Sequence, residues 1–384
     1  MYPDLSYFFH DLLGTPADNW LSIFKTFGVF LVLAILSAAF ILQRELKRKA
    51  QLGVFEPEKV RIELNKPPKP MEIASSGIWG FLLGYKLAYA LLNFTALKAD
   101  AAEVLLSTAG HWPAGLLLGA AFAGYRYWDG NRKAKSGGKA VVQHLYPHDR
   151  IGEITMIAAL SGVIGAKFFA VIEDIPALLA DPLGTLLSGG GLAIYGGLIF
   201  GFLFVALYLK RKNIPIVPVL DAVAPALIIA YGVGRLGCHF SGDGDWGIVN
   251  AAPVPVWWFL PDWAWAYDYP HNVLRRGVEI AGCEMKYCTR LSPPVYPTPI
   301  YETAMAFGIG GLLLGLRKAA AGYPGILFFL YLTLNGVERF FIEKVRINEV
   351  YELGGLGYTQ AQLIAIALFL IGLGGAVFVY RRHR

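Results

Sequence analysis

Apolar runs that carry few charges alternate with polar connections along almost the whole chain. Nine of these runs approach the roughly 20 residues that a bilayer core demands of a helix. The pattern predicts membrane helices over 23–42, 75–96, 112–125, 154–172, 192–209, 216–236, 299–316, 326–342 and 361–380. The third is short and rich in glycine. The predicted fold is therefore all-α, a single polytopic helix bundle spanning 1–384.

The polar connections alternate in charge. Arg44, Lys47, Arg48, Lys49, Lys59, Arg61, Lys66 and Lys69 fall between the first two runs. Arg126, Arg132, Lys133, Lys135, Lys139 and Arg150 fall between the third and fourth, and Lys210-Arg-Lys212, Arg317-Lys318, Arg381-Arg382 and Arg384 continue the series. The intervening connections are acidic or neutral, as at Glu173-Asp174 and Asp181. By the positive-inside rule the N-terminus is outside and the C-terminus inside, which requires an odd number of helices. Residues 247–297 then form an extracytoplasmic loop or cap, with Trp257, Trp258, Trp263 and Trp265 suited to headgroup depth.

Composition sharpens this picture. Of 384 residues, 55% are hydrophobic and 16% charged, and the mean hydropathy is positive, as for a multi-pass membrane protein. The net charge of +6 invites a nucleic-acid reading, but the basic residues sit in the connections without the basic and aromatic pattern of a nucleic-acid module. Met1 to Trp20 lacks a basic n-region and a small-residue cleavage site, so the first apolar helix is expected to act as the insertion signal. Three cysteines are too few for a disulfide scaffold or a multi-cysteine metal site. Cys283 and Cys288 either pair or remain two thiols in a loop. No internal repeat marks the chain, which counts against a transporter built from inverted halves.

Few polar groups interrupt the helices, and each needs a reason, because intramembrane charge is expensive. Lys86, Lys167, Asp221, Arg235, Glu302, Glu338 and Arg339 are the main ones, followed by Glu343, Lys344 and Arg346. Arg235 closes an apolar run and is followed by His239, Ser241, Asp243 and Asp245, spaced by glycines. Two guanidiniums, Arg235 and Arg339, suit an anionic phospholipid head, since the planar fork pairs phosphate oxygens bidentately. The alternative is that Arg235 pairs with Asp243 and Arg339 with Glu343, locking helices together. His239 reads either as a base or as a hydrogen-bonded structural histidine. Lys86 suits snorkelling to an interface, and Cys238 suits packing at a crowded helix end. Asp243 and Asp245 are too few for a metal site, and no cofactor is implied.

Taken together, four stretches in order resemble the prolipoprotein diacylglyceryl transferase family. They are Gly232-Val-Gly-Arg-Leu-Gly237 with Ser241-Gly-Asp-Gly-Asp-Trp-Gly247, Gly190-Gly-Leu-Ala-Ile-Tyr-Gly-Gly-Leu-Ile199, Tyr296-Pro-Thr-Pro-Ile-Tyr-Glu302 and Asn335-Gly-Val-Glu-Arg-Phe-Phe-Ile-Glu-Lys-Val-Arg346. Asp221-Ala-Val-Ala-Pro225 also fits. The resemblance covers most of 154–384 and the first helix. It implies a seven-helix core, with 75–125 as an inserted pair, in a bacterial inner membrane. It implies transfer of diacylglyceryl from phosphatidylglycerol to a lipobox cysteine thiol, with prolipoprotein and membrane lipids as partners. Arg235, Arg339, Tyr195, His239 and Glu302 would then be catalytic, and Phe27, Lys167, Gly196, Gly197, Ser241, Asp243 and Glu343 would bind substrate. Tyr195 replaces the family's usual histidine and Phe27 its first-helix tyrosine. Cys238 and Ser241 stand for its asparagines, and Asp243 for its glutamate. A diverged relative that binds phospholipid, or a transferase paralogue acting on another acceptor, is the runner-up.

Overall fold

A computed structural model describes residues 1–99, 101–135, 139–187, 193–348, 351–353 and 356–383. Gly190 to Leu192 of the glycine-rich stretch, residues 136–138 and Arg384 lie outside the described residues. The chain begins with α1 (Leu5–Leu13), α2 (Thr26–Gln51), β1 (Glu58–Leu64), α3 (Pro70–Leu92), α4 (Phe94–Ala99) and α5 (Ala101–Leu106). There follow α6 (Trp112–Ala134), β2 (Lys139–Leu145), α7 (Ile151–Glu173), α8 (Ile175–Ala180), α9 (Pro182–Leu187), α10 (Ile194–Arg211) and α11 (Ile216–Ser241). The last part holds β3 (Val278–Glu279), β4 (Thr289–Arg290), α12 (Thr298–Leu316), α13 (Ile326–Ile342), β5 (Tyr351–Leu353), β6 (Leu356–Tyr358) and α14 (Gln360–Arg382).

Five helical segments are long and apolar enough to cross a membrane: Thr26–Gln51, Pro147–Glu173, Ile216–Ser241, Thr298–Leu316 and Gln360–Arg382. The protein is a polytopic helical membrane protein. Its described residues form two compact units, 1–55 with 209–384, and 56–208.

In the first unit α11 packs against α2, α12 and α13, and α13 packs against α14. Ala224, Ile228, Ala306, Leu313 and Leu327 form the buried seam between α11, α12 and α13. Near the start of α11 the buried Asp221 accepts from the backbone N–H groups of Gly325 (2.8 Å) and Phe328 (3.2 Å). It thereby serves the N-terminus of α13, where the helix dipole favours an anion. Lys49 adds an ion pair at 3.5 Å. Lys49 can do so because α2 continues nine residues beyond the expected end at Leu42, to Gln51. That charged last turn also buries Glu45 against Arg48 (2.8 Å) and Arg317 (2.6 Å).

A second correction concerns α11. Its expected end at Leu236 is five residues too early, since it runs to Ser241 and closes on Gly242 in the left-handed region (φ 63°). Glycine costs roughly 1 kcal/mol in a helix interior, but here it allows close packing. A side chain at Gly232 would meet Phe307 and Ala306 of α12, and one at Gly237 would meet Phe30 of α2.

In the second unit α3 packs against α6, with Gly80 and Gly84 set against the backbone of Leu118 and Ala114. Lys86 donates to the carbonyls of Ser107 and Ala109, the latter at 2.9 Å. β1 and β2 pair antiparallel from Glu58 opposite Leu145 to Leu64 opposite Lys139, a ribbon where the sequence reading expected only connections. α7 and α10 meet through glycines: a side chain at Gly196 would strike the Gly165 carbonyl and Phe169, and one at Gly197 the Gly162 carbonyl.

Candidate active site

The C-terminal half of α11 brings Arg235 to the start of α12 and the end of α13. Glu302, five residues into α12 and fully buried, is the hub. Its Oε2 pairs with Arg235 Nε and accepts from the Tyr231 hydroxyl at 2.9 Å. Its Oε1 accepts from Arg346 Nη1 at 2.7 Å and lies 3.8 Å from Arg339 Nη1. Asp245 is the second hub, paired with Arg235 through one oxygen and with Arg346 Nη2 at 2.8 Å through the other. Three guanidiniums thus share two carboxylates, with Glu343 as a third partner 3.2 Å from Arg339 Nη2.

Local structure explains each placement. Arg339 and Glu343 are one helical turn apart at the end of α13. A 3₁₀ turn over Glu343–Val345 follows, and the backbone becomes extended at Arg346, where it bridges to Gly247. A side chain at Gly247 would meet the Val345 carbonyl at 2.5 Å, so this close approach requires glycine. Asp245 is fixed from below, where the Thr298 hydroxyl at the start of α12 donates to its carbonyl at 2.8 Å. The positive φ of Gly242 and Gly244 (63° and 101°) lets the chain turn from α11 back over Arg235.

The three arginines are not equally held. The Arg235 side chain is 13% exposed, bridges two carboxylates and lies 5.1 Å from the centre of the Tyr231 ring. That of Arg346 is 9% exposed and hydrogen-bonds two carboxylates. That of Arg339 is 24% exposed and, among the described residues, has only the longer contacts at 3.2 and 3.8 Å. Around it, both oxygens of buried Glu338 and Oε2 of Glu343 have no hydrogen-bond partner among the described residues.

Asp243 and Asp245 differ despite their closeness. Burial and the neighbouring Asp245 push the Asp243 carboxyl up. Burial pushes Asp245 up as well, but Arg235 and Arg346 outweigh it and hold that carboxyl below the usual range. Cys238, Asp243 and Asp245 bring ligand atoms within 4.8 Å of one another, a set that could hold a metal ion. A guanidinium already serves it: Arg235 pairs with Asp245 and approaches Cys238 Sγ at 3.9 Å. The geometry favours the arginine as its cation.

Other sequence candidates are placed differently. His239, one turn after Arg235, is buried among Phe240, Trp263, Tyr267 and Tyr269, with Nδ1 3.2 Å from the Tyr269 hydroxyl. Ser241 is buried and donates to the Gly237 carbonyl at 2.8 Å, within its own helix. Phe27 sits in the first turn of α2, in reach of a side chain at Gly237. Tyr195, Gly196 and Gly197 open α10, and Lys167 lies on α7, all in the second unit. There Tyr195 is exposed and the two glycines pack on α7.

Arg346, Asp245 and Tyr231 belong to the network although the sequence reading gave them no role in it. The signal for Arg346 was its position three residues after Glu343, and for Tyr231 its position one turn before Arg235.

The family described as prolipoprotein diacylglyceryl transferase matches residues 111–378, which include the whole network. The chain belongs to this family. Among its relatives is the phosphatidylglycerol–prolipoprotein diacylglyceryl transferase of Corynebacterium glutamicum, 30% identical over 232 residues, covering 59% of this chain and 67% of that protein. The same-named protein of Staphylococcus aureus is 31% identical over 246 residues, covering 64% and 78%. That of Leptospira interrogans is 26% identical over 271 residues, covering 57% and 76%.

Proposed function

We propose that this chain transfers the diacylglyceryl group of phosphatidylglycerol to the thiol of a lipobox cysteine in prolipoproteins, the reaction for which its relatives are named. The observation that carries this reading is Arg339: a partly exposed, loosely paired guanidinium beside two others that are fully committed. Its planar N–H fork matches a phosphate. In the reaction the thiol loses its proton, the sulfur bonds to the glyceryl carbon, and the carbon–oxygen bond to phosphate breaks. Glycerol phosphate leaves with the electron pair, so fixed positive charge stabilises the step where charge develops.

Arg339 makes the direct phosphate contact, and Arg235 reinforces the positive field while Glu302 and Glu343 orient both. Arg346 and Asp245 complete the frame. Asp243, which lies beside Asp245 in the turn after Arg235 and whose carboxyl burial and Asp245 push up, is the group assigned to accept the thiol proton. His239 is the other candidate acceptor, with its Nδ1 already facing Tyr269. By the family pattern Tyr195 takes the hydrogen-bonding part of the histidine. Phe27, Lys167, Gly196, Gly197 and Ser241 are assigned to the lipid.

The topology that serves this reaction has nine spans, the five helices long and apolar enough to cross a membrane with α3, α6, α10 and α13, in a bacterial inner membrane. The N-terminus and the 247–297 cap face outward, the C-terminus inward, and α3 with α6 is an inserted pair. The test is direct. Purified chain in phosphatidylglycerol vesicles should add one diacylglyceryl mass to a lipobox peptide. A peptide left unmodified, under conditions where the Staphylococcus relative modifies it, overturns the reading.

A further inference from the structure

The loop over residues 251–263 is built unlike the rest of the cap. Residues 246–261 carry no charged side chain. At the tip the Val256 side chain has its whole surface free, Phe259 is 88% exposed and Trp257 69%. Val254, Leu260 and Trp263 are exposed beside them. A contiguous apolar patch of this kind marks a binding surface rather than a solvated loop.

The tip is also braced. Pro253, Pro255 and Pro261 limit the backbone. Trp257, Trp258 and Trp265 pack edge to face with centroids 5.2–6.0 Å apart. The indole N–H groups of Trp258 and Trp265 donate to the carbonyls of Pro261 (3.3 Å) and Ala252 (3.1 Å). These two donors therefore need no water, which removes part of the cost of entering an apolar medium. The base of the loop is tied to a membrane helix, since the Tyr301 hydroxyl in α12 donates to the Ala264 carbonyl at 2.7 Å.

We infer that this loop is a membrane anchor whose tip, Val256 to Leu260, inserts into the lipid of the leaflet next to the Arg235 network. A bilayer fits better than a peptide. A side chain with all its surface free stands on a protrusion rather than in a groove, and tryptophans flanking an apolar tip suit the membrane interface. The consequence is an enzyme mouth held at the depth of lipid headgroups. The inference concerns placement, and stands or falls separately from the transfer reaction.

A spin label at Val256→Cys in the full chain tests it. The native cysteines are out of the way, with Cys238 buried and Cys283 bonded to Cys288. Position 256 touches so little that the substitution leaves folding intact. In phosphatidylcholine–phosphatidylglycerol vesicles the label should collide several-fold more with oxygen, relative to a water-soluble nickel complex, than a label at Glu279→Cys on the exposed β3 strand. Equal ratios at the two positions overturn the anchor. Shielding at 256 that arises only when a lipobox peptide is added also overturns it, and assigns the surface to the peptide.

Discussion

The two ends of α11 hold buried charge in opposite ways. Asp221 and Arg235 are 14 positions apart, about 21 Å along a helix. At the Asp221 end the carboxylate receives two backbone N–H groups and one ammonium, and both its oxygens are used. At the Arg235 end three arginines crowd three carboxylates, and among the described residues Arg339 is held only by its longer contacts and the oxygens of Glu338 have no hydrogen-bond partner. Helix termini and paired charges account fully for the first site, so it is structural. The second holds the Arg339 N–H donors at 3.2 and 3.8 Å from their carboxylates, donor capacity that an anionic ligand can take up. Satisfaction of partners, rather than the mere presence of charge in a membrane helix, separates a strut from a site.

Substitutions can break or sharpen this contrast. Glu302→Gln removes the hub of all three arginines and should destabilise the fold by about 3–5 kcal/mol, the range for one partner lost from a buried ion pair. Detergent-solubilised thermal unfolding checks this. Asp221→Ala strips the start of α13 of its acceptor and should cost about 1–3 kcal/mol. Its transfer rate per folded molecule should stay near wild type, whereas a specific loss of transfer would erase the distinction between the two ends.

Acidity sharpens the contrast within the site. Asp245 is held below the usual range, so its contribution to stability is complete above that range and is lost as pH falls through the lowered value. Asp243 is pushed up, so its contribution is complete at low pH and is lost as pH rises through the raised value. Asp245→Asn should therefore flatten the acid side of a stability profile, and Asp243→Asn the limb above it. If Asp243 is the proton acceptor, Asp243→Asn should also remove the acid limb of the transfer rate. The smallest effect is expected at His239→Phe, which keeps the aromatic packing and forgoes one 3.2 Å contact. Transfer should change by less than about threefold, within the ~1 kcal/mol of a typical hydrogen bond.

Much of this was legible in the sequence. Apolar periodicity placed α13 to the residue and α12 to within one, because long apolar runs that open after Gly325 and Pro297 leave little choice. Arg235, Glu302, Arg339 and Glu343 stood out as rare intramembrane charge and in the family pattern. Arg339 does pair with Glu343, but the expected partner of Arg235, Asp243, gives way to Asp245 and Glu302. The errors share a cause. The glycines from 232 to 237 read as a helix end, although Gly232 and Gly237 are where α11 meets α12 and α2. The charges from Arg44 to Lys49 read as a connection, although they form the last turns of α2 and reach Asp221. The β1 strand was visible in the alternation of Val60, Ile62 and Leu64 with Lys59, Arg61 and Glu63, but its partner lies 75 residues or more away and leaves no local mark. Tertiary contact decided each case.

The claim that the loosely held guanidinium is the phosphate ligand rests most directly on Arg339→Ala, assayed for transfer and for thermal unfolding on the same preparation. Transfer from phosphatidylglycerol should fall by roughly 10²–10³, as when one preorganised donor to a developing charge is removed, while the unfolding temperature stays close to that of wild type. Full transfer by this variant, or a loss of activity that merely follows a loss of folded protein, would contradict the account.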